Sequence, residues 1–317
     1  MRKALVVGID YYDSISQLYG CVNDAYAIKA VLDRHSDGTK NFDVNIEVAT
    51  GPKALIERKV LKNKVEELFK DKSDIALFYF SGHGYVESTG GYLITSECKD
   101  GDDGLSMNEL LEIANSSSSR NKIIILDCCH SGIIGKTSPK EDKSILSEGI
   151  TILTASSETQ YALEVDGSGV FTTLFIDAMN GSASNLVGDV TPGSIYSHID
   201  QSLGSWEQRP IFKTNVTTFT TLRKVQPPIA LSDLKQLPEL FPIKGQSFKL
   251  DPSFEPDSNN PIEENMAKFK LLQKYNRINL VVPEDSEHMY YAAMESKSCK
   301  LTILGEHYWN LITKDRI

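Results

Sequence analysis

Over the first 225 residues, short β-rich runs alternate with helical patterns, and this alternation constrains the fold more than any other feature of the sequence. Strands that alternate with helices build a mostly parallel sheet covered by helices on both faces. We therefore predict an α/β fold with a mostly parallel six-stranded sheet flanked by helices. The strand runs cover 3–9, 45–50, 75–81, 122–127, 150–156 and 209–214, and the helical patterns cover 23–34, 53–70, 106–114, 170–180 and 192–203.

The composition changes after Val225. Seven of the chain's 12 prolines follow within about 35 residues, where neither a helix nor a central strand can run far. From Glu263 onward the pattern reads helix, short strand, helix and amphipathic tail. We predict one large domain at 1–225, and a proline-rich connection with a small C-terminal module, similar to a winged helix, at 226–317.

Charge and hydropathy exclude several classes of protein. The net charge is -10 and no Lys/Arg-dense segment offsets it, so nucleic acid is not expected as a main partner. An acidic protein is suited to basic peptide segments. The first apolar run ends at Asp10, too early for a signal peptide, and no run reaches the roughly 20 residues of a membrane span. The five cysteines follow no metal-ligand spacing, which predicts free thiols in a reducing cytoplasm.

Two motifs place nucleophilic chemistry at strand ends. "LFYFSGHGY" puts His83 just past an apolar strand, between Gly82 and Gly84, and "IIILDCCHSG" puts Cys129 just past another. The two residues are 46 apart (129 − 83). Parallel strands bring their carboxyl ends to one edge of a sheet. An imidazole beside a thiol is the usual means of forming the nucleophilic thiolate.

These motifs resemble the catalytic motifs of the caspase and metacaspase superfamily of cysteine peptidases. "KALVVGIDYY", "LYGCVNDA" and "GVFTTLFIDAMNG" are similar to that family's opening strand, first helix and small-subunit helix, so the resemblance covers roughly residues 3–215. It implies that His83 is the general base and acid and that Cys129 is the nucleophile. It also implies an oxyanion hole formed by the backbone N–H groups of Gly84 and Cys129.

Strand geometry also favours Cys129 over its neighbours. Residues two apart in an extended segment share a face, so Asp127 and Cys129 point together while Cys128 points into the core. His130 directly follows the cysteine and is expected to point away from it. The alternative is that both thiols are structural.

The resemblance also bears on the substrate. Metacaspases, which cut after Arg or Lys, line their pocket with carboxylates, and Asp24 and Asp127 stand at the matching positions, with Cys21 and Ser81 as neighbours. A like-charged carboxylate pair attracts a cation that relieves its repulsion. The alternative for Asp24 is a stabilising acid in the first turn of a helix.

We predict that the protein needs neither a metal ion nor a cofactor. Metacaspases often use calcium, but Met107 and Asn108 stand where carboxylates are expected, and the acidic "DGDDG" at 100–104 reads as a surface turn. The polar segment 133–149 carries Lys136, Lys140 and Lys143. Self-cleavage there and an ordinary solvated loop stay open as alternatives.

The C-terminal module has no recognisable catalytic set. It carries a mixture suited to stacking a base or docking a partner, with an ordinary aromatic core as the alternative: Arg277, Tyr290, Tyr291, Tyr308 and Trp309. Bacterial caspase-like proteins that this arrangement resembles act in immunity or stress, with an appended domain that senses a small nucleotide or a protein. We predict a regulated cysteine endopeptidase of that kind, and the rival is a catalytically silent caspase-fold scaffold. A third possibility is a nucleotide-binding module without protease activity. The sequence does not support it, because it has no glycine-rich phosphate loop.

Overall fold

The computed structural model divides the chain into two compact units, Met1–Gln226 and Pro227–Ile317. Backbone alone is described at 136–138, 141–144, 164–165 and 168. Cys129, His130 and Lys140 lie outside the described residues. The described ranges are 1–128, 133–134, 136–138, 141–156, 164–165, 168–204 and 209–317.

The first unit alternates strands with helices from its first residues. Its helices are α1 (Cys21–Asp33), α2 (Arg58–Lys70), α3 (Met107–Asn115), α4 (Val170–Asp177) and α5 (Pro192–Ser202), with a 3-10 turn at Gly101–Asp103 and a π-helical turn at Ala178–Ser182. Its strands are β1 (Arg2–Ile9), β2 (Asp43–Ala49), β3 (Ile75–Ser81), β4 (Gly84–Glu87), β5 (Gly90–Leu93), β6 (Leu105–Ser106), β7 (Asn121–Asp127), β8 (Lys136–Ser138), β9 (Glu141–Ser144), β10 (Ile150–Thr154), β11 (Glu164–Val165), β12 (Ser168–Gly169), β13 (Asp189–Val190), β14 (Ile211–Asn215) and β15 (Arg223–Lys224).

A six-stranded sheet forms the centre of this unit, in the order β14-β10-β7-β3-β1-β2. Every neighbouring pair is parallel except β10 with β14, which is antiparallel at one edge. The predicted α/β fold with a mostly parallel six-stranded sheet is confirmed. Helical crossovers connect parallel strands, which is why this sheet carries helices on both faces.

Strand β3 shows how the two faces are filled. All seven of its residues are buried, because apolar side chains alternate between the two layers. Phe78 and Phe80 pack on the side of α2 and α3, whereas Leu77 and Tyr79 pack on the side of α1, α4 and α5. A continuous apolar run is therefore what this central position requires.

Helix α2 begins later than the sequence pattern predicts. The pattern starts at Lys53, but the helix starts at Arg58. Ile56 accepts a hydrogen bond from the Ser96 backbone at 2.9 Å and donates its own N–H to the Ser96 hydroxyl at 3.2 Å. This tertiary pairing holds residue 56 outside the helix and overrides the local propensity.

The second unit packs helices against a small antiparallel sheet of β16 (Phe248–Lys249), β18 (Ser298–Leu301) and β17 (Val281–Glu284), in that order. The similarity to a winged helix stays a prediction. No helix among the described residues of either unit has the length and apolar character needed to cross a membrane. The elements are α6 (Leu231–Leu234), α7 (Leu237–Leu240), β16 (Phe248–Lys249), a 3-10 turn at Pro252–Phe254, α8 (Glu263–Arg277), β17 (Val281–Glu284), α9 (Met289–Met294), β18 (Ser298–Leu301) and α10 (Ile303–Thr313).

The proline-rich segment is anchored inside this second unit by a chain of aromatic contacts. Phe241 contacts Phe248, Phe248 contacts Phe254, and Phe254 contacts Phe269 of α8, with ring centroids 5.8 to 6.1 Å apart. Edge and offset arrangements at these separations are the favourable ones for aromatic pairs. The segment is thus an ordered part of the unit and contributes to its core.

Candidate active site

The two sequence motifs begin at the same edge of the sheet. In the parallel pairing of β3 with β7, Ser81 lies opposite Asp127, and the N–H of Gly82 donates to the Asp127 carbonyl at 3.4 Å. His83 follows Ser81 by two residues, as Cys129 follows Asp127 in the sequence. The placement of Cys129 itself lies outside the described residues.

The imidazole of His83 is tied to the segment between β1 and α1. Its Nε2 lies 2.9 Å from the backbone carbonyl oxygen of Ser16. A carbonyl can only accept, so Nε2 carries the hydrogen in this arrangement. In the neutral ring the lone pair therefore resides on Nδ1, which becomes the basic nitrogen.

Tyr12 holds the backbone of the same residue. Its hydroxyl accepts the N–H of His83 at 2.8 Å, and the two rings lie 4.7 Å apart between centroids. Tyr12 is only 1% exposed, and this burial raises its pKa well above the ordinary value, so the hydroxyl stays neutral. A Cβ at position 82 would stand 2.8 Å from the Tyr12 hydroxyl and 2.9 Å from the Phe80 ring, which explains Gly82.

Tyr12 and Ser16 were not among the residues that the sequence predicts for the site. Tyr12 belongs to the "GIDYY" ending of the first strand motif, but nothing in that pattern distinguishes a tyrosine that holds a histidine from one that fills the core. Ser16 makes its short contact through the carbonyl, which every residue type carries, while its hydroxyl lies 3.5 Å from the same nitrogen. Neither contact therefore has a sequence signal of its own.

Gly84 opens strand β4 directly after His83. It lies opposite Leu93 of β5, and the N–H of Ile94 donates to the His83 carbonyl at 3.0 Å. The other predicted donor of the oxyanion hole, the N–H of Cys129, lies outside the described residues, so the oxyanion hole stays a prediction. Cys128 is buried among apolar residues on the α2 and α3 side of the sheet.

The two carboxylates predicted for the pocket meet at Gly169. The Gly169 N–H donates to Oδ2 of Asp24 at 3.0 Å, and a Cβ at position 169 would lie 3.1 Å from that oxygen and 2.5 Å from Oδ2 of Asp127. Both carboxylates are buried, with 3% and 5% of their residue surfaces exposed. A side chain at position 169 would collide with this pair, so glycine is required there.

A donor chain leads from Tyr79 to the second carboxylate. The Thr172 hydroxyl donates to Oδ2 of Asp127 at 2.6 Å, and the Tyr79 hydroxyl lies 2.6 Å from the Thr172 oxygen. Because the Thr172 hydroxyl gives its single hydrogen to Asp127, the Tyr79 hydroxyl is the donor to Thr172. Burial, and after it the charges of Asp127 and Asp24, raises the pKa of Tyr79 far above its ordinary value.

The remaining two pocket residues are buried beside this pair. Cys21 begins α1, three residues before Asp24, and its N–H donates to Oδ1 of Asp10 at 2.9 Å. Ser81 ends β3 two residues after Tyr79, so the two side chains share a face of the sheet. All four predicted pocket residues thus lie on the face that carries α1 and α4.

The residues considered above for calcium binding have structural roles in this protein. Met107 is fully buried in the core, and the N–H of Asn108 is capped by the Ser106 hydroxyl at 3.2 Å. Asp103 accepts the N–H groups of Lys99 and Asp100, which lowers its pKa. In the described part of the chain, no group of three or more His, Cys, Asp or Glu side chains is arranged to hold a metal ion.

The structure places the five predicted ligand residues of the second unit in different settings. Tyr290 and Tyr291 are about half exposed and meet edge to face at 5.4 Å. Trp309 donates its indole N–H to the Phe241 carbonyl at 2.7 Å, and Tyr308 is buried, so packing within the unit explains both. Arg277 is exposed at the end of α8.

We expect Thr172→Val to lower the free energy of unfolding by about 1–3 kcal/mol, because it keeps the side-chain shape but removes the donor to Asp127 and the acceptor for Tyr79. Thr173→Val is the matched control, since Thr173 lies next along α4 and is exposed. Urea unfolding of both variants measures the difference. Equal stabilities would show that the buried donor chain contributes nothing to folding.

Part of the sequence is similar to metacaspases. Metacaspase-4 of Arabidopsis thaliana is 33% identical over 87 residues, and metacaspase-1 of Schizosaccharomyces pombe is 29% identical over 86 residues. Each alignment covers 26% of this chain and 20% of the relative, so the matched part spans about a fifth of these metacaspases.

Two solved structures share the fold. Caspase-1 of Spodoptera frugiperda aligns with a TM-score of 0.51 at 13% identity, over 71% of this chain and 91% of that one. A protein of Geobacter sulfurreducens aligns with a TM-score of 0.53 at 16% identity, over 71% of this chain and all of that one. A family model for the caspase domain, of peptidase family C14, matches residues 1–240. The chain therefore belongs to the caspase-domain family of peptidases.

Proposed function

We propose that this protein is a cysteine endopeptidase in which His83 is the general base and Cys129 the nucleophile. The observation that carries the proposal is the double fixation of His83. Its backbone is held by Tyr12 and its Nε2–H by the Ser16 carbonyl, which leaves Nδ1 as the basic nitrogen. The pairing of β3 with β7 supports the assignment, because Ser81 and Asp127, two residues before His83 and Cys129, lie opposite each other at one edge of the sheet.

The proposed reaction follows from these roles. Nδ1 of His83 takes the thiol proton of Cys129, and the thiolate attacks the scissile carbonyl of the substrate. The backbone N–H groups of Gly84 and Cys129 stabilise the negative charge on the carbonyl oxygen. The imidazolium then protonates the leaving amine, and water, deprotonated by His83, hydrolyses the thioester and restores the free thiol.

A catalytically silent scaffold is the rival function, and the observations do not favour it. A scaffold needs the fold but has no use for a histidine whose ring nitrogen and backbone are both held. The intact His83 and Cys129 pair also argues for catalysis, because loss of one member is a simple route to a silent protein.

We propose that the peptidase cleaves after Arg or Lys. Two carboxylates buried side by side repel one another, and a guanidinium or ammonium group relieves that repulsion. A carboxylate has about four acceptor positions, and a guanidinium can bind it through two parallel hydrogen bonds. Asp24 and Asp127, with Cys21 and Ser81 beside them, are the groups that we assign to this recognition.

The proposed dyad predicts that Cys129→Ala abolishes cleavage of Arg peptides and that His83→Ala lowers kcat by a hundredfold or more, in the range of about 10²–10⁴ for a lost general base. Cys128→Ala, on the core side of the sheet, should keep most of the activity. Initial rates on fluorogenic peptides measure this, with circular dichroism as the test of folding. A folded but inactive Cys128 variant beside an active Cys129 variant would reverse the assignment.

The pocket proposal predicts that Asp24→Asn and Asp127→Asn each raise KM for Arg peptides about tenfold or more, because each loses a charge-assisted hydrogen bond. Asp33→Asn, at the far end of α1, is the matched control and should leave KM unchanged. Steady-state kinetics on peptides ending in Arg, Lys or Asp provide the measurement. Preferential cleavage after Asp by the unaltered protein would contradict the pocket assignment.

We further propose that residues 227–317 regulate the peptidase in response to a small nucleotide or a protein partner, as part of a cytoplasmic defence or stress response. Coupling of this kind requires an activator that binds the active arrangement more tightly than the resting one.

Regulation predicts that the full-length protein alone cleaves Arg peptides only weakly, with little change when calcium is added or chelated. A chain ending at Gln226, provided that it melts cooperatively, should show a rate that differs severalfold, because the regulatory constraint is gone. Peptide cleavage by both chains at equal concentration measures this. Full activity of the whole protein, unchanged by the truncation, would assign the second unit a purely structural role.

A further inference from the structure

Strand β4 leaves one of its two edges open beside the candidate site. It forms a three-stranded antiparallel sheet with β5 and β6, in the order β4-β5-β6, so β5 covers only one side of it. Among the described residues, no strand pairs with the other side. The N–H and C=O groups of an open strand edge can bind the backbone of an extended peptide, which then adds to the sheet as a further strand.

The pairing with β5 determines which backbone groups face the open edge. The N–H of Ile94 donates to the His83 carbonyl, and hydrogen-bonded residues alternate with non-bonded ones along an antiparallel pair. Tyr85, two residues after His83, therefore also bonds to β5. Gly84 and Val86 direct their N–H and C=O groups to the open edge, and within the described part of the chain neither backbone has another hydrogen-bond partner.

This open edge begins at the residue that follows the proposed general base. In the proposed reaction the Gly84 N–H binds the oxygen of the scissile carbonyl, and the strand pairing directs that N–H to the open edge. His83 protonates the leaving amine, so the part of the substrate beyond the cleaved bond lies on the histidine's side of that bond. Because β4 continues directly from His83, this leaving segment emerges beside its open edge.

Negative charge surrounds the same edge. Tyr85 is 40% exposed, and its hydroxyl donates to Oε1 of Glu87 at 2.9 Å. That bond and the charge of Glu87 raise the pKa of Tyr85, and the nearby charges of Asp102 and Asp100 act in the same direction. The turn that carries these two acids lies against the Tyr85 ring, because a Cβ at position 101 would overlap it. A leaving segment that contains Lys or Arg is complementary to this surface.

We propose that the open edge of β4 binds the leaving segment of the substrate as an added parallel strand and favours basic residues in it. The proposal deepens the peptidase function proposed above and rests on it. With the scissile carbonyl on the Gly84 N–H, parallel pairing defines the next bonds. The second residue beyond the cleaved bond donates its N–H to the Gly84 carbonyl and accepts the Val86 N–H. The N–H groups of the first and third residues point away from β4.

The first test uses peptides that share one sequence up to a single Arg and continue for one or four residues beyond it. We expect kcat/KM to be about tenfold or more higher for the longer peptide, because it adds backbone hydrogen bonds to β4. Methylation of the backbone nitrogen of the second residue beyond the Arg should remove this gain. Methylation at the third residue is the matched control and should preserve it. Chromatographic assay of the cleaved products measures both effects.

The second test changes the edge itself. Val86→Pro removes the outward N–H at an edge position, where proline is tolerated, and should reduce the ratio of kcat/KM between the longer and the shorter peptide severalfold. Val86→Thr keeps the N–H and the branched shape, and it is the matched control. Glu87→Gln should reduce a preference for Lys over Gln in the leaving segment, whereas Glu112→Gln, exposed on α3, should not.

The third test measures binding without catalysis. Fluorescence anisotropy should show that Cys129→Ala binds the longer peptide about tenfold or more tightly than the shorter one. Because no cleavage is needed, binding of this kind by a protein that proves inactive would support the edge and count against the dyad. Equal affinity and equal kcat/KM for the two lengths, or equal loss from the two methylations, would overturn the proposal. A dimer that Val86→Pro dissociates in size-exclusion chromatography, without any gain from peptide length, would assign the edge to a second copy of this chain and also overturn it.

Discussion

The parallel pairing of β3 with β7 is the interaction on which the candidate site depends. With Ser81 opposite Asp127, both strands end at the same level, so the histidine motif and the cysteine motif emerge side by side. Side chains alternate along a strand, so a slip of one residue would turn Asp127 away from Asp24 and Thr172. Burial of both faces of β7 makes such a slip costly, because it would move Ile124 and Leu126 into the wrong layer. The packing of the sheet thereby fixes the geometry of the site.

The sheet could be predicted because its information is local. Apolar runs of strand length, separated by helical periodicity, leave few alternatives to a covered parallel sheet. The start of α2 could not be predicted, because it depends on Ile56 pairing with Ser96, a contact 40 residues away. Aligned strand ends also indicated where His83 would lie. The contacts that hold His83 could not be predicted, because Tyr12 and Ser16 reach it from a loop whose path only the folded structure defines.

The acidic pair already serves a structural purpose with the groups that we assign to substrate recognition. Asp24 and Asp127 are buried deeply enough that each takes a protein donor, Gly169 or Thr172. Desolvated carboxylates without such donors would be strongly disfavoured. The donors therefore hold the two carboxylates in place, and the proposed recognition of a basic side chain depends on the same groups. The sequence resemblance suggested the pair, but only the structure reveals the glycine at which its members meet.

The contact between His83 and Ser16 affects what mutagenesis and sequence comparison can detect at this site. The atom that orients the imidazole is a main-chain oxygen, so replacing the serine side chain leaves it in place. An alanine scan would remove only the longer contact of the Ser16 hydroxyl with Nε2, at 3.5 Å, although the carbonyl of this residue fixes which ring nitrogen carries the proton. Because the short contact uses a backbone oxygen, it does not restrict which residue type occupies position 16, provided that the backbone of the loop follows the same path. Part of the proposed catalytic site is thus encoded in the path of the backbone rather than in a side chain, and comparison of sequences alone would not find it.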